Sequence, residues 1–205
     1  MDGHGNDAGH SDSDGEIRYA MPGLSGACAA AFVRAEAAAV LLGDTVYAVV
    51  GSGFLRARVV GCGCIPMVRT EILADGAALL TRFLVGFLAL VETGDVPPFP
   101  GEGPLARVRR RTDEVDLSAM HPTWYAYCPE TDYVAGYERA YEVLPGLEDV
   151  VSRVVLAGPL AVDPACRQDG VGAVRLDLIP EDADRLARLL EYAAKYVGLE
   201  DGGPV

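Results

Sequence analysis

The spacing of apolar residues along this chain alternates between the period of an α-helix and the period of a β-strand. Apolar side chains recur at helical spacing in residues 28–42 and 181–197, and residues 75–92 are apolar almost throughout. In residues 54–60 they instead alternate with Arg56 and Arg58, which is the pattern of a strand with one buried face. Both periods in one chain favour helices laid on a sheet. The sequence therefore predicts an α+β fold, with helices packed on a mixed or antiparallel β-sheet.

The chain of 205 residues divides into one folded region and two short ends. Residues 1–15 are mostly Gly, Asp, Ser and His, and we expect a disordered acidic tail because they bury little apolar surface. Residues 16–198 are expected to form a single α+β domain, and residues 199–205 a flexible C-terminus. The proline-rich segment 96–104 is the only internal candidate for a boundary between two lobes, since proline interrupts regular hydrogen bonding.

Turn and cap residues predict where the elements of the first half begin and end. Gly43 suits the left-handed position that ends the first helix. Residues 44–50 and 54–60 then resemble two strands of a hairpin, joined by the glycine-containing turn at 51–53. The apolar segment 75–92 is predicted to form a buried helix, because it is apolar on almost every side.

In the second half, Thr131 is predicted to cap a short helix that ends at residues 145–146, a Pro-Gly pair. Residues 150–156 and 173–179 are predicted to form core strands. A final helix begins at Pro180, since proline is favoured at the first helical position. No internal repeat is recognised, which excludes solenoids and propellers.

The net charge of −13 disfavours some classes of partner. A surface with 17 basic and 30 acidic residues repels polyanions, so general nucleic-acid binding is not expected. The first residues lack the basic and apolar regions of a secretory signal, and the most apolar stretch, 77–91, is shorter than a membrane-spanning helix. We therefore expect a cytoplasmic protein without transmembrane insertion; a peripheral membrane protein exposing residues 79–91 is the weaker alternative. The single lysine, Lys195, indicates a high-GC genome.

The cysteines suggest one candidate site. Five cysteines do not make the even framework of a secreted disulfide scaffold, so reduced thiols are expected. Cys62 and Cys64 place two thiols in one glycine-rich turn, and thiolates are preferred zinc ligands. His121 and Cys128 are candidates to complete the site, although the intervals do not match the usual spacing of zinc motifs. The alternatives are a thiol-dependent enzyme that uses these residues and ordinary packing of buried cysteines.

The segment 121–141 concentrates aromatic residues with polar tips. The candidate binding residues are Trp124, Tyr125, Tyr127, Tyr133, Tyr137 and Tyr141. Such side chains are enriched in protein recognition sites because they supply contact area at low entropic cost, but they also serve as core residues. In the helix predicted here, Tyr137 and Tyr141 fall on the same side as Val134.

Sequence motifs of common enzymes are not found. The chain has no Walker lysine, no Gly-x-Ser-x-Gly elbow and no His-Glu-x-x-His. Arginines within 107–111 are followed at once by acidic residues within 113–116, which favours a solvated edge strand. An enzyme is therefore less favoured than a non-catalytic interaction protein with a regulatory or accessory role, whose partner is another protein. No cofactor is expected unless the cysteine site binds zinc.

Overall fold

The computed structural model describes residues 26–62, 65–100, 132–155 and 157–197, with only the main chain of Cys62. These residues form helices and strands in the order αββααββα. The helices are α1 (Gly26–Val50), α2 (Ala74–Thr93), α3 (Tyr133–Ser152) and α4 (Pro180–Ala193). The strands are β1 (Phe54–Cys62), β2 (Ile65–Leu73), β3 (Ala161–Cys166) and β4 (Gly172–Leu178). The predicted tail 1–15 and the end 199–205 lie outside the described residues.

The strands form one sheet of order β1-β2-β4-β3, in which every neighbouring pair is antiparallel. β1 and β2 form one hairpin, and β3 and β4 form the other. The hairpins join at the centre of the sheet, where β2 pairs with β4 and Val68 lies opposite Leu178. The predicted α+β fold is confirmed, and its sheet is antiparallel.

One hydrophobic core lies between the sheet and the helices. The two central strands contribute five completely buried apolar side chains: Val68, Ile72, Val174, Leu176 and Leu178. The same cluster contains residues of each helix, among them Leu42, Leu84, Leu147 and Leu190. Burial of one such side chain contributes about 1.5–3 kcal/mol. Residues from both halves of the chain therefore depend on a single core.

Helices α1 and α2 are long and apolar enough, by length and composition, to span a membrane. The core helix of a globular protein has the same properties. The predicted helix 75–92 is observed as α2, and it ends at Gly94, whose φ of 81° is the left-handed conformation that glycine tolerates. Leu80 and Leu84 of α2 are completely buried, which accounts for its apolar character. The absence of transmembrane insertion stays a prediction.

The predicted end of the first helix at Gly43 is wrong, because α1 continues to Val50. The predicted strand 44–50 is therefore wrong as well. The end of α1 buries three valines at helical spacing: Val46, Val49 and Val50. Their burial outweighs the preference of valine for strands. Gly43 serves close packing instead, since a Cβ there would lie only 3.3 Å from the Phe54 ring.

The predicted end of the helix at residues 145–146 is also wrong, since α3 continues through Pro145 to Ser152. Proline removes a helical hydrogen bond and destabilises a helix interior. Beyond it, however, Leu147 and Val150 are completely buried, and their burial offsets this cost. The predicted strand 150–156 is therefore wrong, because residues 150–152 form the end of α3.

Strands β2 and β3 have no counterpart among the predicted strands. β2 contains Pro66 and β3 contains Pro164, and a proline normally argues against a strand. β3 is an edge strand, where one side of the backbone needs no partner. β4 and the helix start at Pro180 agree with the prediction.

The order αββα occurs twice, first from α1 to α2 and again from α3 to α4. When the units are exchanged, β1 takes the place of β3 and β2 that of β4, and the sheet order stays the same. This is expected for an approximate two-fold axis between β2 and β4. The contacts follow the same exchange, since α1 packs on α4 and α2 packs on α3. At one constant offset, Val68, Arg69, Ala77, Leu80, Arg82 and Leu84 recur as Val174, Arg175, Ala183, Leu186, Arg188 and Leu190. The chain therefore does contain an internal repeat, whose sequence similarity is limited to a short segment.

Ion pairs cross the outer face of the sheet at this axis. Arg69 donates two hydrogen bonds to Asp177, at 2.8 and 2.6 Å, and this hydrogen bonding raises the pKa of Arg69. The corresponding pair in the repeat is Arg175 with Glu71, at 3.6 Å. Arg56 points outward as predicted, but it donates to Glu71 at 2.8 Å and is not simply solvated.

Candidate functional site: an aromatic surface on helix α3

Helix α3 begins with a side-chain cap. The Asp132 carboxylate accepts hydrogen bonds from the main-chain N–H groups of Val134 and Ala135, at 3.1 and 3.2 Å. The Tyr133 hydroxyl donates to the main-chain oxygen of Gln168, at 3.3 Å. The first turn of α3 is therefore anchored beside the β3–β4 hairpin, since residue 168 lies between these two strands.

Gly136 determines how closely α3 approaches that hairpin. A Cβ on Gly136 would collide with the main-chain oxygen of Gly170 and would lie 2.5 Å from the Cys166 Sγ. Ala140, one turn further along, is completely buried. Small residues on this side of α3 permit the contact, and the contact sets which side of the helix faces solvent.

The outward side of α3 carries three large exposed hydrophobic side chains. Val134 is 67% exposed, Tyr137 42% and Tyr141 61%. Spacings of three and four residues place them on one stripe of the helix. We call these three residues the α3 aromatic surface. Exposed apolar side chains that cluster in this way are typical of contact sites.

Acidic side chains border the α3 aromatic surface. Glu138, Glu142 and Glu148 are all exposed. Arg139, the one basic residue of α3, donates to Asp75 at 2.8 Å and to Glu142 at 2.7 Å. These hydrogen bonds, first that to Asp75, raise the pKa of Arg139. The single positive charge of α3 is therefore paired with carboxylates of the protein itself, and the border of the α3 aromatic surface is negative.

The structure describes part of the predicted aromatic binding set. Tyr137 and Tyr141 are exposed on α3, and Tyr133 is half-buried at its start. Trp124, Tyr125 and Tyr127 lie outside the described residues. The prediction that Thr131 caps the helix is wrong, because Asp132 is the capping residue of α3. Val134 is not among the predicted binding residues, although its helical spacing to Tyr137 and Tyr141 was a signal available in the sequence.

The predicted zinc or thiol site lies outside the described side chains. Only the main chain of Cys62 is described, and Cys64, His121 and Cys128 are outside the described residues. Within the described residues, no group of three or more His, Cys, Asp or Glu side chains is arranged to hold a metal ion. Zinc binding by the four predicted residues stays a prediction.

Two cysteine side chains are described. Cys28 is disulfide-bonded, so the expectation of reduced thiols is wrong for this residue. An odd number of cysteines does not prevent one pair from forming. Cys166 is a free, buried thiol whose pKa is raised by burial, with a further contribution from Asp169 and Asp132. A raised pKa disfavours the thiolate, which makes Cys166 a poor nucleophile.

The described residues also line two shallow grooves. The larger, of about 400 Å³, lies between α1 and the start of β1 and includes Tyr47 and Phe54. The smaller, of about 280 Å³, lies beside α4 and includes Tyr192 and Lys195. The lining of the smaller groove also includes Glu191, and that of the larger groove includes Asp44.

Comparisons with known protein families, with characterised proteins and with solved structures gave no match to this chain.

Proposed function

We propose that this protein is a non-catalytic interaction protein, with a regulatory or accessory role, that binds another protein through the α3 aromatic surface. The supporting observation is the exposure of Val134, Tyr137 and Tyr141 on one stripe of a helix whose opposite side is fixed in the core. A helix held in this way presents its side chains already ordered, which lowers the entropic cost of binding.

The border of the α3 aromatic surface indicates the chemistry of the partner. Glu138, Glu142 and Glu148 surround apolar side chains, so a matching partner carries an apolar contact flanked by Lys or Arg. Exposed charges act within about 8 Å at physiological ionic strength. We therefore expect the association to weaken as the salt concentration rises, while the apolar contact remains.

A site-specific crosslinking experiment tests this proposal. A photoreactive phenylalanine analogue replaces Tyr141 in the full chain, and the same analogue replaces Val85 as a control. Val85 is also an exposed apolar residue of a helix, 48% exposed on α2. We expect illumination in an extract of the source cells to capture a protein at position 141 and not at position 85.

The captured protein is then purified and its affinity measured directly. Replacement of Tyr137 and Tyr141 by Ser should raise the dissociation constant by at least about tenfold, as for central interface aromatics. Val85→Ser should leave it unchanged. Equal capture at both positions, or an unchanged dissociation constant in the double variant, would show that α3 does not provide the binding surface. Loss of the cooperative unfolding transition in the double variant would instead identify both tyrosines as core residues.

A further inference from the structure

Helix α1 has a second face on which none of the described helices and strands packs. One side packs on β1, β2 and α4, and buries Leu42 and Val46 completely. On the opposite side, Val33 is 64% exposed, Val40 66% and Tyr47 60%. These are among the most exposed large apolar side chains of the described residues, and they lie on a single helix.

The exposed residues of α1 follow the heptad spacing of a helix–helix contact. Val33, Val40 and Tyr47 are seven residues apart, and an exposed residue precedes each of them by three positions. Alternating spacings of three and four residues are typical of a helix that pairs with another helix. We call this set of residues the α1 seam: Ala30, Val33, Ala37, Val40, Asp44 and Tyr47. At 1.5 Å per residue the seam is about 27 Å long.

The side-chain sizes of the α1 seam match those of a second copy better when the two helices are antiparallel. When a second α1 lies antiparallel with Val40 opposite Ala37 of the second copy, Tyr47 falls opposite Ala30. Val40 and Tyr47 then each meet an alanine, which allows close packing, and Val33 lies opposite Asp44. In a parallel arrangement each residue would meet its own copy, so that Asp44 would face Asp44 and repel it.

The charges beside the α1 seam favour the same direction. In the antiparallel arrangement Arg34 lies beside Asp44 of the second copy, and the symmetry of the pair produces this contact twice. Both side chains are exposed, and neither forms an ion pair in the part of the chain that the structure describes. Opposite charges that meet across an interface determine its register and orientation.

We propose that two copies of this chain associate through the α1 seam, with their α1 helices antiparallel. A single pair of helices buries less surface than a standard protein interface, so the dissociation constant is expected to be micromolar. This interface is separate from the α3 aromatic surface, which belongs to the other unit of the repeat. A dimer would display two α3 aromatic surfaces.

Sedimentation velocity of the full chain over a range of concentrations tests the association. We expect a reversible equilibrium between monomer and dimer. Val40→Glu should raise the dissociation constant by at least about 30-fold, since the change occurs twice in each dimer and places charge in an apolar contact. Val85→Glu on α2 and Tyr141→Ser on α3 are matched controls, and both should leave the equilibrium unchanged. Because all of these side chains are exposed, circular dichroism should show an unchanged fold.

A charge exchange tests the direction of the helices. Arg34→Asp and Asp44→Arg should each raise the dissociation constant by about tenfold, and the double variant should restore it to within about threefold. A parallel pair would not be restored, because like charges would still meet. A chain that stays monomeric at every concentration, or a dimer insensitive to Val40→Glu, overturns the proposal. The proposal is also overturned if the protein stays monomeric, binds phosphatidylglycerol vesicles and loses this binding in Val40→Glu. A membrane, and not a second copy, would then cover the α1 seam.

Discussion

Thr70 is a polar residue at an apolar position in the centre of the sheet. Its side chain is completely buried, between Ala57 of β1 and Leu176 of β4 in the strand register. Its hydroxyl has no hydrogen-bond partner among the described residues. Leu176 is also its counterpart in the internal repeat, so an apolar side chain already occupies the equivalent place. We expect Thr70→Val to stabilise the protein.

The expected gain follows from the two changes that Thr70→Val makes. A buried hydroxyl without a hydrogen bond costs about 1–3 kcal/mol, and the methyl that replaces it adds apolar burial of up to about 0.8 kcal/mol. Imperfect fit of the new methyl reduces the sum, so we expect the free energy of unfolding to rise by about 1.5 kcal/mol. In a domain of this size, this corresponds to an increase in Tm of roughly 3–6 °C.

Urea unfolding followed by circular dichroism measures this change. Thr81→Val is the matched control, because the Thr81 hydroxyl donates to the main-chain oxygen of Ala77 at 2.8 Å. Removing that hydrogen bond should lower the free energy of unfolding by about 0.5–1 kcal/mol. The reasoning is refuted if Thr70→Val unfolds at the same or a lower urea concentration than the unmodified chain.

Two further variants test the polar contacts that hold the sheet and its connections. Asp177→Asn should lower the free energy of unfolding by about 3 kcal/mol, because it leaves the guanidinium of Arg69, only 16% exposed, without its carboxylate. In urea unfolding, the double variant Arg69→Met with Asp177→Leu should recover most of this loss. A loss below about 1 kcal/mol for Asp177→Asn would contradict this account. Asp182→Ala should lower the free energy of unfolding by about 2 kcal/mol and speed hydrogen exchange at Gly158. The reason is that the main-chain N–H of Gly158 donates to the Asp182 carboxylate at 2.8 Å, and Asp182 is only 1% exposed. If hydrogen exchange at Gly158 is equally fast in Glu181→Ala and Asp182→Ala, the Asp182 carboxylate does not protect this N–H.

Local sequence patterns were sufficient where they agree with burial. The apolar segment 75–92 is a helix that ends at Gly94, and the strand before Pro180 leads directly into α4. In each case the turn chemistry and the pattern of apolar residues indicate the same element. The sequence also implied an α+β fold, because both periods are present in one chain.

Local patterns failed where propensity and packing disagree. The valines at 46–50 favour a strand, but the core on one side of α1 holds them in a helix. Pro145 interrupts helical hydrogen bonding, and burial of the residues that follow it keeps α3 intact. β2 and β3 carry prolines that argue against strands, and one pairing partner of β2, the strand β4, comes from a distant part of the chain. These outcomes depend on contacts that no local window contains.

The sequence by itself determined that Val134, Tyr137 and Tyr141 share one side of a helix, because a period of 3.6 residues requires it. Which side of α3 meets the sheet was decided by the tertiary structure, through the close contact of Gly136 with the β3–β4 hairpin. The same holds for α1, whose heptad residues are present in the sequence but are left outside only because the opposite side packs on the core. Periodicity follows from local geometry, whereas exposure depends on which surfaces the rest of the chain covers.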